Sequence, residues 1–402
     1  MSMLKYWLWL STSARVAPRA KSALLEHYGS PEAMYIAPVG EITRLLGSNS
    51  EGAEELEKRD LSAALRIIDR CEDQGIRIIT IQDAGYPERL KNVYAPPHII
   101  YVKGNLPVMD EEAAIAVIGT RKASPYGLRM GHKLGYEITK CGGIVVSGLT
   151  AGIDAAGAEG ALTANGKCVG VLGVPHELCK GSLPQEVAVR GALVSEYPPG
   201  TKPYPSFFRA RNRIAAGLSV GVAVVEAPEK SGTRLFVAEA AELGKEIFVV
   251  PGNADSENCA GSNAMLKDGA KAVTGGWDIM SEFELRYPDK VQRSDQKSPQ
   301  PRDKTVPVEK KSEPEPQKRT KKVIDKPNDT GYIDLKKQLE GLSDVQISII
   351  SAIDRNSVHV DEIIEKTRLS PAKVLAELTI LQLKGFVRQE SGKRFSLNIG
   401  TK

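Results

Sequence analysis

AIAVIGTRKAS at residues 114–124 and IVVSGLTAGID at 144–154 decide the fold. Each opens on a short apolar run rich in β-branched residues, stops at a glycine and hands over to a helix-forming stretch. The pattern recurs at KCVGVLG (167–173), ALVSEY (192–197), VGVAVVEA (220–227) and EIFVVPG (246–252). Strands apolar on both faces and separated by helices form a parallel sheet covered on both sides, so the centre of the chain reads as a doubly wound α/β domain. IRIIT (76–80) and IIYVKG (99–104) read as further strands around the turn-rich AGYPERL.

In such a sheet ligands bind beyond the carboxyl ends of the strands. Those ends carry Gly119-Thr120-Arg121-Lys122, Gly148 through Gly152 to Asp154, Ser231-Gly232-Thr233-Arg234, and Asn253. Glycine lets backbone N–H groups approach an anion, and the helix starts that follow offer free donors. Four such turns, two with an arginine, point to an anion site. GxxxxGK[ST] is absent and GTRKAS is not GxGxxG, which disfavours P-loop hydrolysis and a standard dinucleotide site. Asp154 and Glu226 are the candidate acids; the plainer expectation is that Asp154 caps a helix and Glu226 pairs with an arginine.

Composition narrows the class. The five cysteines are scattered without a CxxC pair, and His176-Glu177 lacks the second histidine of a zinc protease helix, so neither a disulfide scaffold nor a metal site is expected. No apolar run approaches membrane-spanning length and YWLWL (6–10) is too short for a signal-peptide core, so a cytoplasmic location is expected. Between Asp289 and Asn328 there are 12 Lys and Arg against 7 Asp and Glu, an excess above the whole net charge of +4. The folded parts are then near neutral, and nucleic-acid affinity must come from a local patch.

Four regions are expected: a helical module at 1–75, ending in one long amphipathic run; the sheet domain at 76–288; a Pro/Lys-rich flexible linker at 289–335; and a winged-helix unit at 336–402. The last opens on a capping box at Ser343 to Gln346 and closes on a hairpin with a Ser-Gly turn.

From Tyr197 to Val225 there is no Asp or Glu, while Lys202, Arg209, Arg211 and Arg213 stand among Tyr197, Tyr204, Phe207 and Phe208. In PSFFRARNRIAAG (205–217), Ser206 reads as a helix start, and arginines at the positive end of a helix require anionic compensation. Cations pair with phosphates and aromatic faces stack on bases, the combination single-stranded nucleic acid needs. Arg209 and Arg213 share a helix face and Arg211 points elsewhere, which suits a structural role for one of them.

IAVIGTRKAS, VVSGLTAGIDAAGAEGAL, FRARNRIAAGLS, VVEAPEKSGT, IFVVPGN and GSNAMLKDGA, with YGSPEA and YPERL ahead of them, resemble in order and spacing the DprA/Smf family of DNA-processing proteins. The resemblance spans nearly the whole chain. It implies an extended Rossmann domain with an N-terminal helical domain and a terminal winged helix. It further implies single-stranded DNA binding, a homodimer formed through the Rossmann domain, and loading of the RecA recombinase during natural transformation, without catalysis or cofactor. By matching positions Arg121, Arg211 and Arg213 would hold phosphates, Phe208 would stack near a base, and Gly148, Gly152 and Gly232 would give backbone access. Lys202 lies near the basic pocket and Arg209 takes the place of a usual Pro. Thr150-Ala151 and Ala158 also depart from the family's usual Ala-Arg and His.

Two rivals remain. A nucleotide-processing Rossmann enzyme of the LOG-type phosphoribohydrolase group would carry PGGxGTxxE; here the doubled Gly is missing and Phe236 stands for the Glu. A winged-helix regulator would present a basic face, yet Lys373 and Lys384 come with Glu377, and Arg388, Lys393 and Arg394 with Glu390.

Overall fold

The computed structural model describes residues 3–47, 50–294, 344–353, 358–367, 369–383, 386–390 and 394–397. Their contacts divide the chain into two units, one on each side of residues 295–343. In the first, helices α1 (Leu4–Thr12), α2 (Pro18–Tyr28), α3 (Pro31–Ile36), α4 (Glu41–Leu46), α5 (Glu51–Glu57) and α6 (Ser62–Asp73) come before any strand. Gly29, at φ 76°, ends α2, and the Ser30 hydroxyl caps α3 by accepting the Ala33 N–H at 3.1 Å. The long run expected up to Gly75 is two helices, because the chain breaks between α5 and α6 where Arg59 takes φ 50°. Trp9, Leu10, Met34, Ile42 and Leu56 form the core of the module, while Trp7, Leu8 and Ile67 pack on Ile76, Ile99 and Tyr101 of the sheet.

The strands are β1 (Ile76–Thr80), β2 (Ile99–Gly104), β3 (Ala114–Ile118), β4 (Ile144–Ser147), β5 (Cys168–Leu172), β6 (Ala192–Ser195), β7 (Gly221–Val224), β8 (Glu246–Val249) and β9 (Lys271–Ala272). They line up as β1-β2-β6-β5-β4-β3-β7-β8-β9. β1 and β2 pair antiparallel, β2 joins β6 antiparallel, and every pair from β6 to β9 is parallel. Between them run α7 (Glu88–Lys91), α8 (Pro125–Lys140), α9 (Ile153–Thr163), α10 (Ser182–Arg190), α11 (Pro205–Leu218), α12 (Gly232–Glu242) and α13 (Ala260–Lys267), and α14 (Gly276–Met280) follows β9. β3 shows why both faces are covered. Ala114, Ala116 and Ile118 join Ile214, Leu218 and Phe236 on one side; Ile115 and Val117 join Leu134, Ile138 and Ile153 on the other. Truncating Ile115, which is fully buried, to Ala costs about 2–5 kcal/mol.

α8 and α9 touch through glycines: a Cβ at Gly135 would stand 2.0 Å from the Gly157 carbonyl oxygen, and one at Gly160 2.1 Å from that of His132. Three expectations change. β9, two residues long, gives no sequence pattern to find. Residues 289–292 are not linker: Val291 is buried, Gln292 donates to the Cys141 carbonyl at 3.1 Å, and Lys290 pairs with Glu112 at 3.0 Å. α11 starts at Pro205 with Tyr204 at the cap position and no side-chain cap, so Ser206 already lies inside the helix.

The second unit holds helices Asp344–Ala352, Val360–Thr367 and Pro371–Leu383 with strands β10 (Val358–His359), β11 (Val387–Glu390) and β12 (Arg394–Leu397), in the order β10-β12-β11. Its core joins Ile349, Ile363, Val374, Leu378 and Phe395, a winged-helix arrangement. The linker from 295 on, the cap residue Ser343, Lys384, Lys393 and the Ser391-Gly392 turn lie outside the described residues. No helix among the described residues is long and apolar enough to cross a membrane.

Candidate nucleic-acid interface

β3 lies between β4 and β7, so the chain leaves the sheet in opposite directions on the two sides of the β3–β7 pair. This is the topological switch point, where strand ends splay apart and leave a crevice. Residues 119–121 after β3, Thr150 and Asp154 after β4, the N-terminus of α12 and one side of α11 surround a cleft of about 500 Å³ there.

Its floor is Arg211, only 5% exposed. The guanidinium lies directly under the turn after β4: a Cβ at Gly148 would stand 1.9 Å from Nη1. Beside it is Asp154, equally buried, which accepts the Thr150 hydroxyl at 3.0 Å. Burial raises the Asp154 carboxyl above the usual range, and Arg211, the Thr150 hydroxyl, the Gly119 N–H and Arg121 oppose the rise. Burial likewise pulls the Arg211 guanidinium down, and Asp154 holds it up. Asp154 therefore does not cap α9, whose cap position is Gly152; it lies in the first turn as the buried counter-charge of Arg211.

Gly152 sets the wall. It takes φ 89°, where a side chain is strained, and a Cβ there would stand 2.3 Å from the Thr120 carbonyl oxygen and 2.8 Å from Arg121 Cα. The turn after β4 thus abuts the turn after β3 and fixes the root of Arg121. The exposed Arg121 guanidinium carbon lies 5.7 Å from the centroid of Phe208, itself 36% exposed.

Glu226, at the end of the β7 segment, is 1% exposed and, against expectation, pairs with no arginine among the described residues. Its carboxylate accepts the Ser124 backbone N–H at 2.9 Å and the Ser124 hydroxyl, and its carbonyl accepts the Thr120 N–H at 2.7 Å. The N-terminus of α8 supplies orphan donors and a positive dipole end, which is what the carboxylate satisfies. Both candidate acids thus accept hydrogen bonds from neighbouring groups of the strand-end turns.

Of the residues singled out in the sequence, Arg121, Phe208, Arg209, Arg211 and Gly232 line the cleft; Gly148 and Gly152 back it. Lys202, Arg213 and Arg234 do not line it. Arg213 is bound by Glu196 through both carboxylate oxygens, at 2.5 and 2.6 Å. Burial raises the Glu239 carboxyl of α12 above the usual range, and the charges of Arg209 and Arg213 oppose the rise. Of the three arginines of α11, Arg213 alone is in an ion pair among the described residues, with Glu196; Arg211 has the charge of Asp154 near it and Arg209 that of Glu239. Asn212 and Lys230 also line the cleft and were not singled out, while Thr120 and Ser231 belong to the strand-end turns that were. Lys230 precedes a recognised strand-end turn and was legible there. Asn212, between two arginines, gave no signal. Arg211 Nε and Ser231 Oγ, both buried, have no hydrogen-bond partner among the described residues, a state that costs about 1–3 kcal/mol for each atom.

Residues 77–284 match the family described as DNA recombination-mediator protein A, and residues 335–393 match the DprA winged helix domain. The chain is 36% identical over 225 residues to the DNA processing protein DprA of Bacillus subtilis, covering 55% of this chain and 76% of that protein. To the protein Smf of Synechocystis it is 28% identical over 414 residues, covering 97% and 98% of the two. The X-ray structure of DNA processing protein A from Streptococcus pneumoniae matches with a TM-score of 0.60 at 28% identity, covering 70% of this chain and 98% of that one.

Proposed function

The chain belongs to the DNA recombination-mediator protein A family, also called DprA/Smf, and is a DNA-processing recombination mediator; from that premise we propose that the switch-point cleft grips the backbone of single-stranded DNA. The observation that carries this is the composition of the cleft: Arg121, Arg209, Arg211 and Lys230 against one buried carboxylate, with a half-exposed Phe208 beside Arg121. Cations there neutralise phosphates and release counterions, while the phenyl face accepts a base of any sequence.

Under the same proposal the protein acts by binding rather than catalysis, shields incoming strands, works as a homodimer through the Rossmann domain and hands DNA to the RecA recombinase. Support for a non-catalytic role comes from Asp154 and Glu226, both engaged in structural bonds, and from Phe236, buried at 3% where the rival phosphoribohydrolase pattern needs a carboxylate. Fluorescence anisotropy with labelled oligo-dT and matching duplex, across a salt series, tests the site. The wild type is expected to prefer the single strand, and Arg121→Ala to lower the slope of log affinity against log salt by about 1. A flat salt response, or an unchanged slope in the variant, sinks the assignment.

A further inference from the structure

A second cavity, of about 530 Å³, opens where the N-terminal helices meet β2 and the segment after β6, and shares no residue with the switch-point cleft. Its size is that of a small-molecule site. Lys21 of α2 and Arg66 and Arg70 of α6 line it, against a single carboxylate, Glu196, already committed to Arg213. Arg66 and Arg70 are four apart and project from one face of α6. Neither is in an ion pair among the described residues; Arg70 makes only a 3.4 Å bond to the Pro199 carbonyl. Lys21 is 9% exposed, and of its three donors one is used, on the Ser11 carbonyl at 2.7 Å.

Three cations with spare donors suit a phosphate, which fills only a fraction of the cavity. Ile67, Ile99, Pro198 and Pro199 furnish an apolar wall for the remainder. The hydroxyls of Ser11 and Thr12 are turned to the Leu8 carbonyl, so a sugar-rich ligand would find few partners, whereas a flat heterocycle would be well packed. We propose that this cavity binds a nucleoside 5′-monophosphate, with the phosphate among Lys21, Arg66 and Arg70 and the base against the Ile67–Pro198 wall. The proposal stands apart from the DNA reading. The ligand is a free nucleotide or the 5′-phosphorylated end of a strand, which carry the same chemistry.

The test is calorimetric titration of the full chain with thymidine 5′-monophosphate, thymidine and inorganic phosphate. Thymidine 5′-monophosphate is expected to bind at least about tenfold more tightly than either fragment. The Arg66→Ala/Arg70→Ala double variant changes two exposed positions; it and Lys21→Met are each expected to lose at least about tenfold in affinity. Arg121→Ala is expected to bind as the wild type. Competition by 5′-phosphorylated but not 5′-hydroxyl oligo-dT assigns the strand end, and competition by neither assigns the free nucleotide. No binding, equal binding of phosphate alone, competition by both oligonucleotides, or loss in Arg121→Ala with retention in the double variant overturns the proposal.

Discussion

One atom, Nη2 of Arg213, lies 2.5 and 2.6 Å from the two carboxylate oxygens of Glu196. The pair is half-buried, with side chains 17% and 25% exposed, and it ties α11 to the segment after β6. An arginine so held is first a strut and only secondarily a phosphate ligand.

Glu196→Gln is therefore expected to lower stability by about 1–3 kcal/mol, the cost of weakening a charged bond out of bulk water, and to raise single-strand affinity by freeing a cation beside the cleft. Arg213→Ala should cost stability more than affinity. Urea midpoints and anisotropy on the two variants separate the roles. An Arg213→Ala protein of unchanged stability that binds about tenfold more weakly would make Arg213 a DNA ligand instead.

Asp154→Leu removes the charge that offsets the burial of the Arg211 guanidinium and the acceptor of the Thr150 hydroxyl, and a loss of about 1–3 kcal/mol is expected. Replacing both, as Asp154→Leu with Arg211→Met, should recover most of the loss, since an apolar pair of similar volume replaces a desolvated ionic one. Unfolding curves for the singles and the double give the coupling directly. If the singles add, the two groups do not act as a pair.

The alternation of strand and helix was legible because it is local: period, apolar run and terminal glycine lie within a few residues of one another. So was the place of the cleft, since strand ends follow from strands. The roles of the three arginines were not. Spacing tells that Arg211 points away from Arg209 and Arg213, but its burial depends on Gly148 and Asp154, brought there by β4 and α9. Glu226 likewise finds Ser124 across 102 residues of chain, and no local pattern announces that a carboxylate after β7 will serve the helix after β3.

Gly148→Ala tests the floor from the other side. The added methyl would meet Nη1, Nη2 and Cζ of Arg211, all within 2.5 Å. The guanidinium must move out of a packed site, and overpacking of this kind costs about 1–3 kcal/mol. With Arg211→Met in place the methyl should be nearly neutral, because a flexible thioether yields where the planar group cannot. A Gly148→Ala penalty that persists in the Arg211→Met background would trace to the backbone rather than to the guanidinium.

The last prediction concerns pH and Lys21. Burial pulls its ammonium from 10.5 down to about 8, while Glu55 and Glu196 oppose the shift. Among the other groups around it, His98 is held down to about 4 by burial and stays neutral in alkali. The folded pKa is thus below the unfolded one, and between about 8 and 10.5 the unfolded chain binds the proton more tightly. Stability from this residue rises with pH across that window, and below it the cost of the buried charge is present in full. Lys21→Met removes that cost. Near pH 7 the variant should be more stable by up to roughly 3 kcal/mol, less the bond to the Ser11 carbonyl. The advantage should shrink as pH approaches 10.5. Urea unfolding of both proteins at about pH 7 and about pH 10 measures the difference, and groups that titrate alike in the two cancel. A gap independent of pH would show that the ammonium is not desolvated in the folded chain.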